Sequence, residues 1–166
     1  GVECIALMTK LLTDMDEDTT IASLDGVGAY NHVSCACFLE ELRNNRELAP
    51  MLPFVRLGYS RLSTYSWRND TGLVHQIPQA EGVEQGDPLS PLLFSLAIHA
   101  ALRQANAELQ PGEHLFAFLD DVADTFRSAY GVDEPLRAIA FQMNEAFSPV
   151  LKQKCEFYAT NGDADV

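Results

Sequence analysis

Asp25 and the adjacent pair Asp120-Asp121 are the residues of this chain best suited to chemistry. Each follows a β-favourable stretch: Thr20-Ile21-Ala22-Ser23-Leu24 runs into Asp25, and the apolar Leu115 to Leu119 delivers the pair. Neighbouring strands would bring all three carboxylates to one sheet edge, where they would repel. Hard divalent cations resolve that repulsion, and Mg²⁺ in particular favours carboxylates together with substrate phosphates and water, as in two-metal phosphoryl transfer. Taken alone, the pair reads more simply as a hairpin turn, which acidic residues often form.

The elements that would position these residues follow from periodicity and punctuation. Ile5, Leu7, Met8, Leu11 and Leu12 have helical spacing, which predicts a short helix over Cys4 to Leu12 and leaves the acidic run Asp14 to Asp18 as a solvated loop. Gly26-Val27-Gly28 ends the strand that carries Asp25. Asn31 or Ser34 can cap the next helix, whose Phe38, Leu39 and Leu42 form an apolar stripe that stops before Asn44-Asn45. A further short helix is expected near Pro53 to Tyr59. Two β-prone pieces, Thr64 to Trp67 and Leu73 to Ile77, flank Asn69-Asp70-Thr71-Gly72 and read as a hairpin. Ser90-Pro91 opens a helix reaching about Leu109, with Ser as cap and Pro in the first turn. Leu115 to Leu119 reads as a strand covered on both faces, with Val122 to Phe126 returning beside it. A last helix, Glu134 to Phe147, and a strand near Cys155 to Tyr158 complete a mixed order with one sheet. The simplest count is one α+β domain over residues 1–166.

With 166 residues and 47% hydrophobic content, a substantial core is expected. No apolar run reaches the roughly eighteen residues of a membrane span, and no basic segment leads into an apolar stretch at the start, so the expectation is an intracellular protein without a membrane partner. Cys4, Cys35, Cys37 and Cys155 are too scattered for a disulfide framework or a zinc motif, and read as small buried thiols. The formal charge of -13 opposes phosphate binding, which draws on Lys and Arg, so this chain alone should bind nucleic acid weakly.

Three segments change the weight of the Asp pair. Asp25-Gly26-Val27-Gly28-Ala29-Tyr30-Asn31 resembles the first catalytic motif of reverse transcriptases, an Asp followed five residues on by an aromatic ring. Glu84-Gln85-Gly86-Asp87-Pro88-Leu89-Ser90-Pro91-Leu92-Leu93-Phe94 resembles the second motif, and Phe118-Leu119-Asp120-Asp121 the third. They occur in the family's order. Their wording is most similar to reverse transcriptases of the non-long-terminal-repeat retroelement type, with the resemblance running from about Ile21 to Tyr158. It implies a polymerase palm: a mostly antiparallel sheet that carries the catalytic aspartates and packs against helices.

The same resemblance implies roles. Asp25 and Asp120 would bind both of two Mg²⁺ ions, with Mn²⁺ as a possible substitute, while Asp121 assists and the Gly26 carbonyl completes one coordination shell. Tyr30 would lie under the incoming sugar and leave no room for a 2′-hydroxyl. Gln85 and Gly86 would approach nucleotide and template, and Lys154 in Leu151 to Phe157 would face the nucleotide phosphates. RNA template, DNA primer and dNTPs are the implied partners, and fingers and thumb domains would lie outside the fragment. Nuclear residence is usual for such elements. Phe147-Ser148-Pro149-Val150 departs from the family's Gly and Asn before the lysine. Asp124 departs too, because the family's returning strand is generally apolar; the position reads as solvent-facing or as a mark of relaxed selection.

Three rival readings remain at this point. Asp14, Asp16, Asp18, Thr20 and Asp25 have the spacing of a calcium loop, although Thr19 stands where such a loop requires Gly. An RNA-dependent RNA polymerase palm shares the metal logic, with Tyr30 as the argument against it. A non-catalytic remnant or repurposed palm serving as a binding module is the third, and the isolated fragment is expected to be inactive by itself.

Overall fold

In the computed structural model, the described residues are 1–26, 28–127 and 156–160; for Asp25, Arg127 and 156–160 the description extends to the backbone alone. Strand β1 (Thr19–Asp25) lies at the interior of a four-stranded sheet, between β5 (Asp121–Arg127) and β6 (Glu156–Thr160), with β4 (His114–Phe118) beyond β5. Every pairing is antiparallel, as expected for strands linked by a hairpin and by longer returns. The helix predicted over Glu134 to Phe147 lies outside the described residues.

The sheet's two faces are covered differently. Helix α1 (Val2–Met15) lies against β1, β4 and β5. It runs past its predicted end because Lys10 pairs with Asp14 at 3.0 Å and the Thr13 hydroxyl donates to the Lys10 carbonyl at 2.9 Å. The acidic run is therefore partly helical. Ala22, Leu24, Val122 and Phe126 form a buried cluster with Ala105 of α5 (Ser90–Glu108), and Leu102 and Leu109 pack onto it. A second cluster joins α5, through Leu93, Phe94, Ala97 and Ile98, to Phe38 and Leu42 of α3 (Cys35–Asn44) and Val55 of α4 (Leu52–Tyr59). Phe94, Leu93 and Phe38 are fully buried, each contributing about 2 to 3 kcal/mol of apolar transfer. Leu102 touches both clusters, so α5 is the common support of sheet and helices.

The strand expected to be covered on both faces is instead the sheet's edge. In β4 the central Leu115 and Phe116 are half-buried, while Ala117 and Phe118 are exposed. A short apolar run fits either position, and only the strand order decides. The predicted hairpin is present as β2 (Ser63–Arg68) and β3 (Val74–Gln79), with the Asn69 side-chain carbonyl accepting the backbone N–H groups of Thr71 and Leu73 across the turn.

Asp124 corrects a second expectation. It is 0% exposed, opposite Ala22 and Leu115, and among the described residues neither carboxylate oxygen has a hydrogen-bond partner. Glu113, also buried, lies near enough for its charge to act on it. Desolvation first, then the Glu113 charge, push the Asp124 carboxyl from 3.8 up to about 7, against a weaker opposing pull from the Thr125 backbone. Because the folded pKa lies above the unfolded one, this contribution to stability is complete below about pH 4 and is lost as pH rises through 7. Asp124→Val is expected to flatten that dependence and to stabilise the fold at pH 8 by up to about 4 kcal/mol. Urea unfolding at pH 5 and pH 8 checks it; parallel losses in both proteins would contradict the assignment.

Candidate active site

Asp25 ends β1 and Asp121 begins β5. The register pairs Leu24 with Val122, so one further step sets the Asp25 backbone beside Asp121. The β4–β5 connection is a two-residue turn, Leu119-Asp120, closed by the Phe118–Asp121 pair. Leu119 has φ +58, a left-handed conformation that costs a non-glycine residue on the order of 1 to 2 kcal/mol. The turn thus presents Asp120 and Asp121 as exposed carboxylates at the end of the sheet where β1 also ends. The pair forms the hairpin turn that the simpler reading of the sequence expects, and both carboxylates are exposed there. Glu156 of β6 stands opposite Asp25 in the register, a neighbour not foreseen from the sequence.

Two exposed carboxylates at a turn are oxygen donors of the kind hard divalent cations take, and the register sets the backbone of a third acidic residue, Asp25, at the adjacent strand end. Among the side chains described, no three acidic, His or Cys groups form a metal cluster. The calcium-loop spacing does not fold as a loop. Asp14 belongs to α1 and Thr20 to the extended β1, and a strand cannot wrap a cation.

Tyr30 lies in the short helix α2 (Ala29–His32) that follows Asp25 after one turn. The Gly26 carbonyl accepts the Ala29 N–H at 2.9 Å in that turn, which engages one of its two lone pairs. The Tyr30 ring stacks on Phe94 of α5, centroids 4.6 Å apart and planes 2° from parallel. Burial, and after it the Asp120 charge, raise its phenol above the usual range, so Tyr30 lies within electrostatic reach of the turn.

A segment that sequence reasoning passed over holds Tyr30 in place. The Val83 N–H donates to the Tyr30 carbonyl at 2.7 Å, and the Gly82 N–H donates to the Val33 carbonyl at 2.9 Å. At Gly82 a Cβ would fall 2.3 Å from the Asn31 carbonyl oxygen, so nothing larger than hydrogen fits. Ser34 holds the N-cap position of α3, one of the two expected caps, but its side chain makes no cap bond; Glu81, also unforeseen, accepts the Cys35 N–H at 2.9 Å instead.

Next comes the loop that resembles the second motif. Ser90, predicted as a helix cap, is buried and donates its hydroxyl to the Glu84 carbonyl at 2.5 Å. Leu89 takes the cap position, and Asp87 accepts the Leu89 N–H at 3.0 Å. The Tyr59 hydroxyl donates to Asp87 at 2.5 Å, tying α4 to the loop; burial and then the Asp87 bond hold that phenol above its usual range. This framework leaves Gln85 and Gly86 exposed at the loop's tip. Gly86 has φ +93 and open space around it, so backbone conformation calls for glycine there independently of any ligand. Gln85 borders a cleft of about 790 Å³ shared with Asn31, His32, Glu84 and the root of the β2–β3 hairpin. Lys154 lies outside the described residues.

Comparison with known proteins agrees with this geometry. Over 115 residues, 69% of its length, the chain is 31% identical to the retrotransposable element SLACS 132 kDa protein of Trypanosoma brucei gambiense, of which it covers 10%. It is 29% identical over 171 residues, 93% of the chain and 16% of the relative, to the Pol polyprotein from the type-1 retrotransposable element R2 of Nasonia vitripennis. The chain therefore spans a small part of the length of these relatives. Among solved structures, telomerase from Candida albicans superposes with a TM-score of 0.60 at 15% identity, covering 99% of this chain and 30% of that one, a likeness of fold. Residues 3–163 match the family described as reverse transcriptase (RNA-dependent DNA polymerase), and the chain belongs to that family, its antiparallel sheet and supporting helices forming the polymerase palm.

Proposed function

We propose that this palm is the catalytic centre of a longer RNA-directed DNA polymerase that extends a DNA primer on an RNA template. The observation that carries the reading is the strand register, which sets the Asp25 backbone beside the Asp120-Asp121 turn, with Tyr30 close enough to feel the Asp120 charge. In this reading Asp25 and Asp120 hold two divalent cations, Asp121 assists, and the Gly26 carbonyl uses its second lone pair. Magnesium, or manganese in its place, would activate the primer 3′-hydroxyl and steady the leaving pyrophosphate. Tyr30, backed by Phe94, walls off the 2′ side of the sugar. Gln85 and Gly86 present side chain and bare backbone to the nascent base pair, and the resemblance of its segment assigns Lys154 to the phosphates.

Primer extension by the parent polypeptide on a primed RNA template tests this. Synthesis should require magnesium and prefer deoxynucleotides, and Tyr30→Val should weaken discrimination against ribonucleotides by roughly tenfold or more, since a steric wall is being removed. The 166-residue chain alone should extend little, its charge of -13 opposing template binding. A wild-type preference for ribonucleotides would transfer the assignment to RNA synthesis.

A further inference from the structure

The β2–β3 hairpin projects from the domain with every residue from Ser63 to Pro78 exposed except the half-buried Asn69 in its turn. Its register sorts the side chains by face. Tyr65 stands opposite Ile77 and Trp67 opposite His75, so these four share one face, while Thr64, Ser66, Arg68 and Gln76 occupy the other. Trp67 is 55% exposed, and its ring lies 5.2 Å from that of His75. An isolated two-stranded hairpin is marginal in water, and an aromatic face left uncovered on one calls for a partner.

Charge narrows the partner. In a chain of net charge -13, the stretch from Arg56 to Gln79 contains Arg56, Arg61 and Arg68 against the single acidic Asp70. Among the described residues no ion pair engages these arginines. The aromatic face is also continuous with the cleft beside Gln85: Tyr65 and Ile77 line that cleft, and the Tyr65 hydroxyl donates to Glu84 at its rim. Flat rings on one face, with Arg61 just before the hairpin and Arg68 near its tip on the other face, offer an unpaired strand a surface for its bases to stack on and guanidinium groups for its phosphates at the edges.

We infer that the Tyr65–Trp67–His75–Ile77 face of the hairpin is a stacking track for the unpaired strand approaching the cleft beside Gln85. The inference rests on the polymerase reading above for the identity of that strand, the single-stranded template ahead of the growing duplex. The stacking itself is independent of catalysis.

Trp67 is the sole tryptophan of the 166-residue chain, so its fluorescence reads this face directly there, and a parent polypeptide with every other tryptophan replaced by Phe gives the same readout. At low salt, a single-stranded oligoribonucleotide should quench the emission of the 166-residue chain and duplex RNA should not. Arg61→Ala with Arg68→Ala should weaken the single-strand titration and reduce its salt dependence. In the parent polypeptide, templates with a long 5′ overhang should bind better than templates with a one-nucleotide overhang. Trp67→Ala should erase that advantage, which is expected to be roughly ten- to hundredfold in KM. Equal quenching by duplex, absence of quenching, or an overhang advantage untouched by Trp67→Ala would overturn the inference. So would a Trp67 that is shielded from acrylamide in the nucleic-acid-free parent, since another protein segment would then cover the face. A parent that quenches yet extends no primer would instead refute the polymerase reading and leave the stacking face standing.

Discussion

Asp120→Ala is expected to reduce magnesium-dependent synthesis by the parent polypeptide by roughly a thousandfold while leaving the fold intact. The size follows from the role: a cation site supplies several kcal/mol of transition-state charge stabilisation, and each 1.4 kcal/mol is a factor of ten. The selectivity follows from the position. Asp120 is exposed at a turn and, among the described residues, has no hydrogen bond or ion pair whose loss would unfold anything, so thermal stability should move within about 0.5 kcal/mol. Removing one of two adjacent carboxylates also relieves their repulsion. Primer extension and thermal unfolding on the same preparation separate the two effects. An Asp120→Ala enzyme that extends primers at the wild-type rate would sink the site assignment.

Gly82→Ala should give the opposite pattern, a loss of the fold around the site with no change in any reacting group. A methyl at this position meets the Asn31 carbonyl oxygen at 2.3 Å, and the residue's φ of +88 already disfavours a side chain. Relief requires the 82–83 segment to withdraw, which breaks its hydrogen bonds to Val33 and Tyr30 and draws the fully buried Val83 out of the core. Strain of 1 to 2 kcal/mol, two hydrogen bonds near 1 kcal/mol each and a valine's burial together come to about 5 kcal/mol, a large share of a domain's stability. Gly86→Ala is the control. Its φ of +93 brings similar backbone strain, but a Cβ there meets nothing within 4 Å. Gly82→Ala should therefore unfold in much less denaturant than Gly86→Ala. Equal midpoints would mean that the 82–83 clamp does not hold Tyr30.

These two glycines also show where the sequence stops being readable. Both sit in a loop rich in Gly and Glu, and nothing local distinguishes the one pressed against another backbone from the one in open space. A helix cap fails similarly: Ser34 holds the N-cap position of α3, but the first N–H goes to Glu81, 46 residues from Cys35 in sequence, and such a contact has no local signature. Of the two readings of Asp124, the solvent-facing one fails because it takes exposure from charge, whereas the residue's place in β5 puts it on the face that α5 covers. What could be read was periodic or punctuated: the hairpin around Asn69 to Gly72, the α5 span ending before Pro111, and strands ending in aspartates. The ordered motifs point to a candidate site because their chemistry requires particular residues in sequence, whereas packing requires only volume and polarity. The palm's antiparallel pairing agrees with the expectation from those motifs.

The left-handed backbone of Leu119 has a bearing on when energy is spent at the Asp120 turn. A turn of this kind in a flexible chain would be shaped by its ligand, and the work of shaping it would be subtracted from each binding event. Here the β4–β5 ladder forces the conformation as the sheet forms, so the work is done once, at folding, and is not repeated with each ligand. With the turn holding the metals as proposed, a polymerase that reassembles its metal and nucleotide complex at every added residue would draw on that timing at each step of synthesis.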